Sequence, residues 1–382
     1  MWERSRNWPR LSGACVMVLA GMLTGCSGFF VPENNSGGGS GGGTGTGPNF
    51  VYVGNAQTNT ISGFLIGTGV LTNVPNMPYD LGFSPAAMVM HPTNKFLYVA
   101  GVSSIFMYSV AANGSLSAAS VGAGVAVATV NSIDISPDGN WLFALDLTQQ
   151  ILNEYQINQT TGALTVMQPT PYTIATGVWS PKAVRVAPGG GYVFLALGTG
   201  GDVVMTLNTN TGALLQTQQL GLSSTQTSDN ALAIDSATAY LYVARTGVNG
   251  GLAVYTIGAN GVLNAVTGSP FAAGAQPFSI VLDSSGKYVY VANGSDATIS
   301  GYLIGTGGGL TALSGSPYAS GAQVEALGRD SSGKYLLAAA FGGSPDLTMY
   351  SFDVASPGKL NTVTSAITGT DPANAIAIAL TR

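Results

Sequence analysis

The chain has 382 residues and a formal net charge of −5, with only 8% charged residues and 54 glycines. So few charged residues exclude many amphipathic helices, whose solvent faces need Glu, Lys and Arg, and without a basic stretch we expect no nucleic-acid partner. Abundant Gly, Val, Ala, Leu, Thr and Ser indicate an all-β protein with short strands and tight turns.

The first 25 residues have the pattern of an export signal. Three arginines precede an apolar run from Ala14 to Leu23, a length typical of the hydrophobic segment of a signal peptide. The run ends in Leu23-Thr24-Gly25-Cys26, which resembles the lipobox of bacterial lipoproteins. The resemblance implies cleavage before Cys26, a diacylglyceryl group on its sulfur and an acylated new N-terminus. We therefore expect an exported protein, lipid-anchored to the bacterial cell envelope at the outer membrane or the cell surface.

An ordinary secretory signal whose cleavage leaves a cysteine is the alternative. Cys15 lies within the removed segment, so Cys26 would be the one cysteine of the exported chain and would have no disulfide partner. This favours lipidation. Residues 26–48 include a Gly/Ser-rich stretch with nothing to bury and are predicted to be a flexible tether. Removing residues 1–25 would change the net charge from −5 to −7.

From residue 49 onward the chain repeats itself, and the repeat predicts the fold. Seven apolar strand cores share a central aromatic or leucine residue at spacings of 45 to 51 residues. The central residues are Tyr52, Tyr98, Phe143, Phe194, Tyr242, Tyr290 and Leu337. Seven such units predict a seven-bladed β-propeller of four-stranded antiparallel blades over residues 49–382. The first unit lacks its first strand, and a matching apolar segment lies at 372–380, so we expect the C-terminal strand to close the ring.

The repeats resemble those of YVTN-type, lactonase-like (6-phosphogluconolactonase-like) propellers. The resemblance is carried by strands such as VYVAN at 289–293, by Thr-Gly-x-Leu at 161–164 and 211–214, and by Gly-Ser-Pro-aromatic segments at 268–271 and 315–318. It implies a His after Pro-Arg in an inner strand and a Glu after Asn in a second strand. Neither occurs in the matching slots of the seven repeats. The one histidine, His91, falls in a slot that holds Asp in three other repeats, so we interpret it as a turn residue.

The starts of the seven inner strands should surround the mouth of the central channel. They are Ala86, Asn131, Lys182, Asn230, Phe278, Glu325 and Ala373, with Asp134 and Arg185 just inside on adjacent blades. The candidate ligand-facing residues are the polar ones among these, Asn131, Asp134, Lys182, Arg185, Asn230 and Glu325. They could contact a small polar ligand, or they could pair with one another and with channel water. One His and one lipidated Cys leave no metal site, so we expect no cofactor and assign no catalytic residue.

Two functions from different classes remain open. The first is a non-catalytic binding or interaction scaffold at the envelope, with a small polar ligand or an envelope protein as its partner. The alternative is a lactonase-like hydrolase that acts on a sugar lactone through a rearranged site of Lys182, Arg185, Glu325 and Asp134. Convergence of these four side chains in one pocket favours the hydrolase, and their separation favours the scaffold.

The lipobox-like sequence predicts that Cys26 anchors the protein to a membrane. Changing Cys26→Ser removes the sulfur that would carry the diacylglyceryl group, so the protein should move from the membrane fraction to the soluble fraction. Cell fractionation followed by immunoblotting measures this, with Cys15→Ser as the control that should leave the distribution unchanged. Retention of the Cys26→Ser protein on the membrane would show that the anchor lies elsewhere.

Overall fold

Apolar, β-branched segments separated by turn-forming residues make the repeats into antiparallel strands. The computed structural model describes residues 48–382 except 102, 119–124, 128, 168–171, 175–179, 223 and 370–372. The predicted signal peptide, 1–25, and the predicted tether up to residue 47 lie outside the described residues. None of the described residues form a helix long and apolar enough to cross a membrane.

The described residues contain thirty-two strands in seven antiparallel sheets, which are the blades. Blade 1 consists of β1 (Phe50–Asn55), β2 (Thr60–Gly67), β3 (Val70–Asn73), β4 (Tyr79–Asp80) and β32 (Ala375–Leu380). Blade 2 consists of β5 (Ala87–Met90), β6 (Phe96–Ala100), β7 (Ser104–Val110), β8 (Leu116–Ala118) and β9 (Val125–Ala126). Blade 3 consists of β10 (Val130–Ile135), β11 (Trp141–Asp146), β12 (Ile151–Ile157), β13 (Leu164–Val166) and β14 (Tyr172–Thr173).

The other four blades are also antiparallel sheets, of four or five strands. Blade 4 consists of β15 (Ala183–Val186), β16 (Tyr192–Ala196), β17 (Asp202–Leu207) and β18 (Leu214–Leu220). Blade 5 consists of β19 (Thr227–Ile234), β20 (Tyr240–Gly247), β21 (Gly251–Ile257) and β22 (Leu263–Ala265). Blade 6 consists of β23 (Pro277–Leu282), β24 (Tyr288–Asn293), β25 (Thr298–Ile304), β26 (Leu310–Ala312) and β27 (Tyr318–Ala319). Blade 7 consists of β28 (Val324–Arg329), β29 (Tyr335–Ala340), β30 (Leu347–Phe352) and β31 (Leu360–Ala366). Two short 3₁₀ turns lie at Ala259–Gly261 and Thr306–Gly308.

The inner strands of the seven blades form a closed circle. Each inner strand contacts the inner strands of the two neighbouring blades, and β32 lies between β28 of blade 7 and β5 of blade 2. The inner strands are β32, β5, β10, β15, β19, β23 and β28. The seven-bladed propeller predicted from the repeat is thereby confirmed.

The ring is closed by the C-terminal strand, as predicted. Antiparallel pairing of β32 with β1 places Leu380 opposite Val51 and Ala375 opposite Asn55. The backbone N–H of Phe50 donates to Oγ1 of Thr381 at 2.8 Å, and the N–H of Thr381 donates to the Phe50 carbonyl at 3.0 Å. The first blade is therefore assembled from both ends of the described chain.

The core lies between the blades. The central residues of the second strands are each at most 1% exposed, because each second strand is covered on both faces. Three of them are tyrosines whose hydroxyls donate to a glycine carbonyl in the next blade, Tyr52 to Gly114 at 2.7 Å, Tyr98 to Gly162 at 2.7 Å and Tyr290 to Gly358 at 2.6 Å. These glycines have φ of +82°, +73° and +89°, which favours glycine. Each blade thus depends on its neighbours for burial.

Deleting residues 375–382 should abolish cooperative folding, because it removes β32 and exposes the edge of β1 and the flanks of β28 and β5. We expect loss of the cooperative thermal transition by circular dichroism, together with aggregation on size-exclusion chromatography. The control is a circular permutant that joins 375–382 through a short linker to residue 48, since β32 ends beside the start of β1. It should regain the transition. A truncated protein as stable as the full chain would show that closure lies elsewhere.

Candidate functional site

Each blade has one extra residue near the start of its inner strand, and in five blades this residue forms a β-bulge. In five blades the register with the second strand skips one residue, for example Asn131 between Val130 and Ser132. In blades 2 and 4 one second-strand residue serves two inner-strand residues. Ala100 pairs with Ala87 and also accepts the N–H of Ala86 at 2.7 Å. Ala196 pairs with Ala183 and also accepts the N–H of Lys182 at 2.9 Å. The seven bulge residues, from blade 1 to blade 7, are Ile376, Ala86, Asn131, Lys182, Asn230, Phe278 and Glu325.

These seven residues, which we call the bulge ring, line one cavity of about 480 Å³ at the mouth of the central channel. A bulge turns its side chain away from the alternating pattern of the strand. The polar members of the bulge ring therefore lie outside the inter-blade core clusters, whereas Ile376 still packs against one of them. We call the space that it surrounds the mouth cavity.

The bulge ring differs from the sequence prediction at one position. The prediction placed Ala373 at the start of the inner strand of blade 1, but Ala373 is fully buried and Ile376 takes that place. The reason is a left-handed residue two positions before the bulge, Asn374 with φ of +54°. The same conformation occurs at Gln276 and Gln323, two positions before Phe278 and Glu325. This recurring amide residue is the signal that could have placed the strand correctly.

Charged side chains lie on two separate sides of the mouth cavity. Lys182 and Arg185 are on blade 4, with Lys182 exposed, and Glu325 is half-buried on blade 7. Burial raises the pKa of the Glu325 carboxyl. Arg185 donates from Nη1 to the Val184 carbonyl at 2.7 Å. Within the part of the chain that the structure describes, neither Lys182 nor Glu325 forms a salt bridge.

Two asparagines lie on either side of Lys182 in the bulge ring. Asn131 donates from Nδ2 to the carbonyl of Pro181, while its Oδ1 is buried and has no hydrogen-bond partner among the described residues. Asn230 is held within its own blade, since Nδ2 donates to Oγ1 of Thr246 at 3.1 Å and Oδ1 accepts from Oγ of Ser228 at 3.0 Å. Asn131 therefore has an unused acceptor, and Asn230 is fixed in place.

The remainder of the mouth cavity is apolar. Phe278 of the bulge ring and Phe341, which the sequence analysis did not identify, line it from blades 6 and 7, and Ala86 and Ile376 line it from blades 2 and 1. The Phe278 ring packs against Gly294, where a Cβ would come within 2.7 Å of it. The mouth cavity thus has a polar side with cations and amides, and an apolar side with two aromatic rings next to a carboxyl.

Asp134 does not lie in the mouth cavity. It lines a second cavity of about 530 Å³, farther along the inner strands, where Arg329 and Arg382 also lie. Its Oδ2 accepts from the Val186 N–H at 2.8 Å and its Oδ1 from the Ile135 N–H at 2.9 Å. Of the four residues in the hypothetical rearranged site, the structure brings three into the mouth cavity and places Asp134 apart. Arg185 lines both cavities.

His91 lies in a turn, as interpreted from the sequence. Its carbonyl accepts from the Asn94 N–H at 2.8 Å, its Nδ1 is 2.8 Å from Oγ1 of Thr93, and its Nε2 is 3.1 Å from the Gly139 carbonyl of the next blade. Burial lowers its pKa. Among the described residues there is no group of three His, Cys, Asp or Glu side chains that could hold a metal ion.

The fold and the mouth cavity define a seven-bladed propeller with a ligand-sized opening at one end of its channel. The family model described as Lactonase, 7-bladed beta-propeller matches residues 47–325, which is well over half of the chain. The protein belongs to this family. Its sequence matches no curated protein.

Solved structures show how widely this fold is used. The chain is 15% identical to a Bacteroides uniformis protein proposed to be a 6-phosphogluconolactonase, with a TM-score of 0.73 over 87% of this chain and 99% of that one. It is 15% identical to the periplasmic gluconolactonase of Pseudomonas aeruginosa, with a TM-score of 0.64 over 87% and 99%. Hydrazine synthase of Kuenenia stuttgartiensis is also 15% identical, with a TM-score of 0.58 over 79% and 95%. At these identities the likeness shows the fold alone.

One buried carboxyl lies outside the channel, between blades 3 and 4. Glu154 pairs with Phe143 in a register position that holds glycine, valine or methionine in the other blades. It is 5% exposed, and its Oε1 has no hydrogen-bond partner among the described residues. Burial raises its pKa to about 7.

Glu154 should make the protein less stable as the pH rises. The folded protein holds a proton at Glu154 above pH 4.5, where the unfolded chain releases it, so stability falls as the pH rises from 4.5 through about 7. One proton limits the slope to about 1.4 kcal/mol per pH unit. Urea unfolding at several pH values between about 5 and 8 should show a shallower slope for Glu154→Gln than for the wild type.

The control for this measurement is Asp353→Asn. Asp353 is a half-buried turn carboxyl whose pKa is lowered, first by a hydrogen bond from Asn361, so it titrates below this pH range and its removal should leave the slope unchanged. An equal slope for Glu154→Gln and the wild type would mean that Glu154 is ionised in the folded protein.

Proposed function

We propose that the protein is an envelope-anchored propeller that binds a small hydroxylated anion of the sugar-acid class in the mouth cavity and does not hydrolyse it. The observation that carries the proposal is the bulge ring, which brings Lys182, Asn131, Asn230 and Glu325 to one cavity with Arg185 beneath Lys182. Backbone geometry, and not the inter-blade core, sets the direction of these side chains.

The chemistry of the mouth cavity fits an anion that carries hydroxyl groups. Lys182 and Arg185 can donate charge-assisted hydrogen bonds to a carboxylate. The carboxyl of Glu325 can accept from hydroxyls. Phe278 and Phe341 offer apolar faces to the carbon skeleton. A volume of about 480 Å³ suits a ligand of this size.

The envelope location and the ligand class have further support. The Leu23–Cys26 sequence resembles a lipobox. The related propeller from Pseudomonas aeruginosa is named as a periplasmic gluconolactonase, which associates the fold with that compartment and with a sugar lactone. A local excess of two cations over one carboxyl attracts an anion even though the chain as a whole is acidic.

Lactone hydrolysis is the second candidate, and the raised pKa of Glu325 favours it. A carboxylate with a raised pKa is a stronger general base. Glu325 would take a proton from water as the water oxygen attacks the lactone carbonyl, and Lys182 would stabilise the resulting oxyanion. Cleavage of the bond to the ring oxygen would return the proton from Glu325 to that oxygen, leaving the open hydroxy acid. Non-hydrolytic binding takes precedence because the His and Glu of the family pattern are absent from their slots.

Calorimetric titration with D-gluconate tests the binding proposal. We expect saturable binding by the wild type and affinity weaker by about tenfold or more for Lys182→Ala, because a charge-assisted hydrogen bond contributes about 1.5–3 kcal/mol. The control is Lys287→Ala, an exposed lysine in a turn outside the mouth cavity, which should leave the affinity unchanged. No binding by the wild type, or equal losses for the two variants, would overturn the proposal.

The same proteins separate binding from hydrolysis. Release of acid from glucono-δ-lactone and from 6-phosphogluconolactone, followed in a pH-stat, should equal the spontaneous rate. A saturable rate that disappears in both Glu325→Gln and Lys182→Ala, and that rises with pH as Glu325 ionises, would establish the hydrolase instead.

A further inference from the structure

One buried position breaks the pattern of the seven blades. In each second strand, the residue two positions after the central residue pairs with one residue of the third strand. That third-strand residue is a buried isoleucine or leucine in six blades and Asp202 in blade 4. The six apolar residues are Ile61, Ile105, Leu152, Leu252, Ile299 and Leu347, each at most 2% exposed. Asp202 is 1% exposed. A carboxyl in a slot built for an aliphatic side chain needs a specific partner.

The surroundings of Asp202 come from blade 5. Arg245 donates from Nε and Nη2 to the two carboxylate oxygens of Asp229 at 2.6 and 2.8 Å, and Nη2 also donates to the Tyr255 hydroxyl at 3.0 Å. Asp229 is fully buried. Neither oxygen of Asp202 has a donor among the described residues. The carboxylate that neighbours it is that of Asp229, which can only accept.

A proton on Asp202 would remove the repulsion between the two carboxylates and supply the missing donor. A protonated carboxyl can donate to Asp229, and this gives one of the two orphaned oxygens a partner in the buried interface. The titratable and charged groups that face Asp202 are Asp229, Arg245 and Tyr255. Burial is the main cause that raises the pKa of Asp202 well above its usual range, the charge of Asp229 raises it further, and Arg245 lowers it in part.

The backbone of Asp229 connects this group of side chains to the mouth cavity. Asp229 directly precedes Asn230 of the bulge ring, and its N–H and carbonyl pair with the carbonyl and N–H of Gly198 in blade 4, both at 3.1 Å. A change at Asp229 therefore reaches the side chain that lies beside the proposed ligand. Asp202 lies four residues after Gly198 in blade 4.

We propose that Asp202 is a positioning residue, whose carboxyl donates a hydrogen bond to Asp229 across the interface of blades 4 and 5 and so holds Asn230 in the bulge ring. Its effect on the ligand rests on the proposed function, whereas its hydrogen bond does not. Loss of the proton places two carboxylates against each other and loosens the junction, so ligand affinity falls as the pH rises. The proton thereby makes the mouth cavity sensitive to pH.

The test compares Asp202→Asn, which keeps an uncharged donor at all pH values, with Asp202→Leu, which restores the residue type of the other blades and removes the donor. Infrared spectra of the full protein, recorded as the pH is raised, should show a protonated-carboxyl band that outlasts those of the exposed carboxyls in the wild type and in Glu154→Gln, and that is absent from Asp202→Asn. Hydrogen exchange at the Gly198 and Asp229 amides should be about tenfold faster in Asp202→Leu and unchanged in Asp202→Asn at neutral pH. These two measurements need no ligand.

Titration with D-gluconate then measures the functional consequence. We expect affinity weaker by about threefold to tenfold in Asp202→Leu at neutral pH, equivalent to one hydrogen bond, and restored in Asp202→Asn. The wild type should lose affinity towards alkaline pH more steeply than Asp202→Asn, which shares every other titrating group. Absence of an Asp202-dependent infrared band, or equal exchange and affinity in the two variants, would overturn the proposal. Normal infrared and exchange results without gluconate binding would reject the proposed function and retain the hydrogen bond.

Discussion

Burial of each second strand between two neighbouring blades is the constraint on which the rest of the structure depends. The central residues of these strands are inaccessible to solvent, and several of them are tied by tyrosine hydroxyls to glycine carbonyls of the next blade. A blade with only one neighbour would expose half of this apolar surface to water. The ring must therefore close, and β32 closes it by completing blade 1.

Closure also separates the residues that stabilise the fold from those that can bind a ligand. Positions facing neighbouring blades are almost uniformly apolar, whereas the bulge ring contains Ala, Ile, Phe, Asn, Lys and Glu. Because a bulge residue lies outside the alternation of its strand, polar side chains can occupy these positions without entering the core, although Ile376 still packs against it. This separation is consistent with a fold that occurs in proteins named for unrelated chemistry.

Much of the architecture could be predicted from the sequence because the repeat is strong. The seven central residues, the number of blades and the closing strand follow from spacing and from the missing first strand. Six of the seven bulge positions were also placed, since turns align the repeats. Ala373 was chosen in place of Ile376 because residues 372–374 match the starts of other repeats, whereas the left-handed Asn374 precedes the bulge by two positions in blade 1, as Gln276 and Gln323 do in blades 6 and 7.

What the sequence did not show depends on contacts between blades. Asp134 is close to the bulge ring in sequence, yet it lies in the second cavity because the inner strand carries it along the channel. Phe341 reaches the mouth cavity from the end of a second strand. Asp202 looks like an ordinary polar residue at the start of a strand. Its role depends on Asp229 and Arg245 of the next blade, and the repeat pattern does not show that these residues lie near it.

The most direct test of the account is a crystal structure of the protein soaked with D-gluconate. We predict electron density in the mouth cavity, with the ligand carboxylate on the side of Lys182 and Arg185 and the carbon chain towards Phe278 and Glu325. Density confined to the second cavity beside Asp134, or a mouth cavity that stays free of ligand at saturating gluconate, would contradict it.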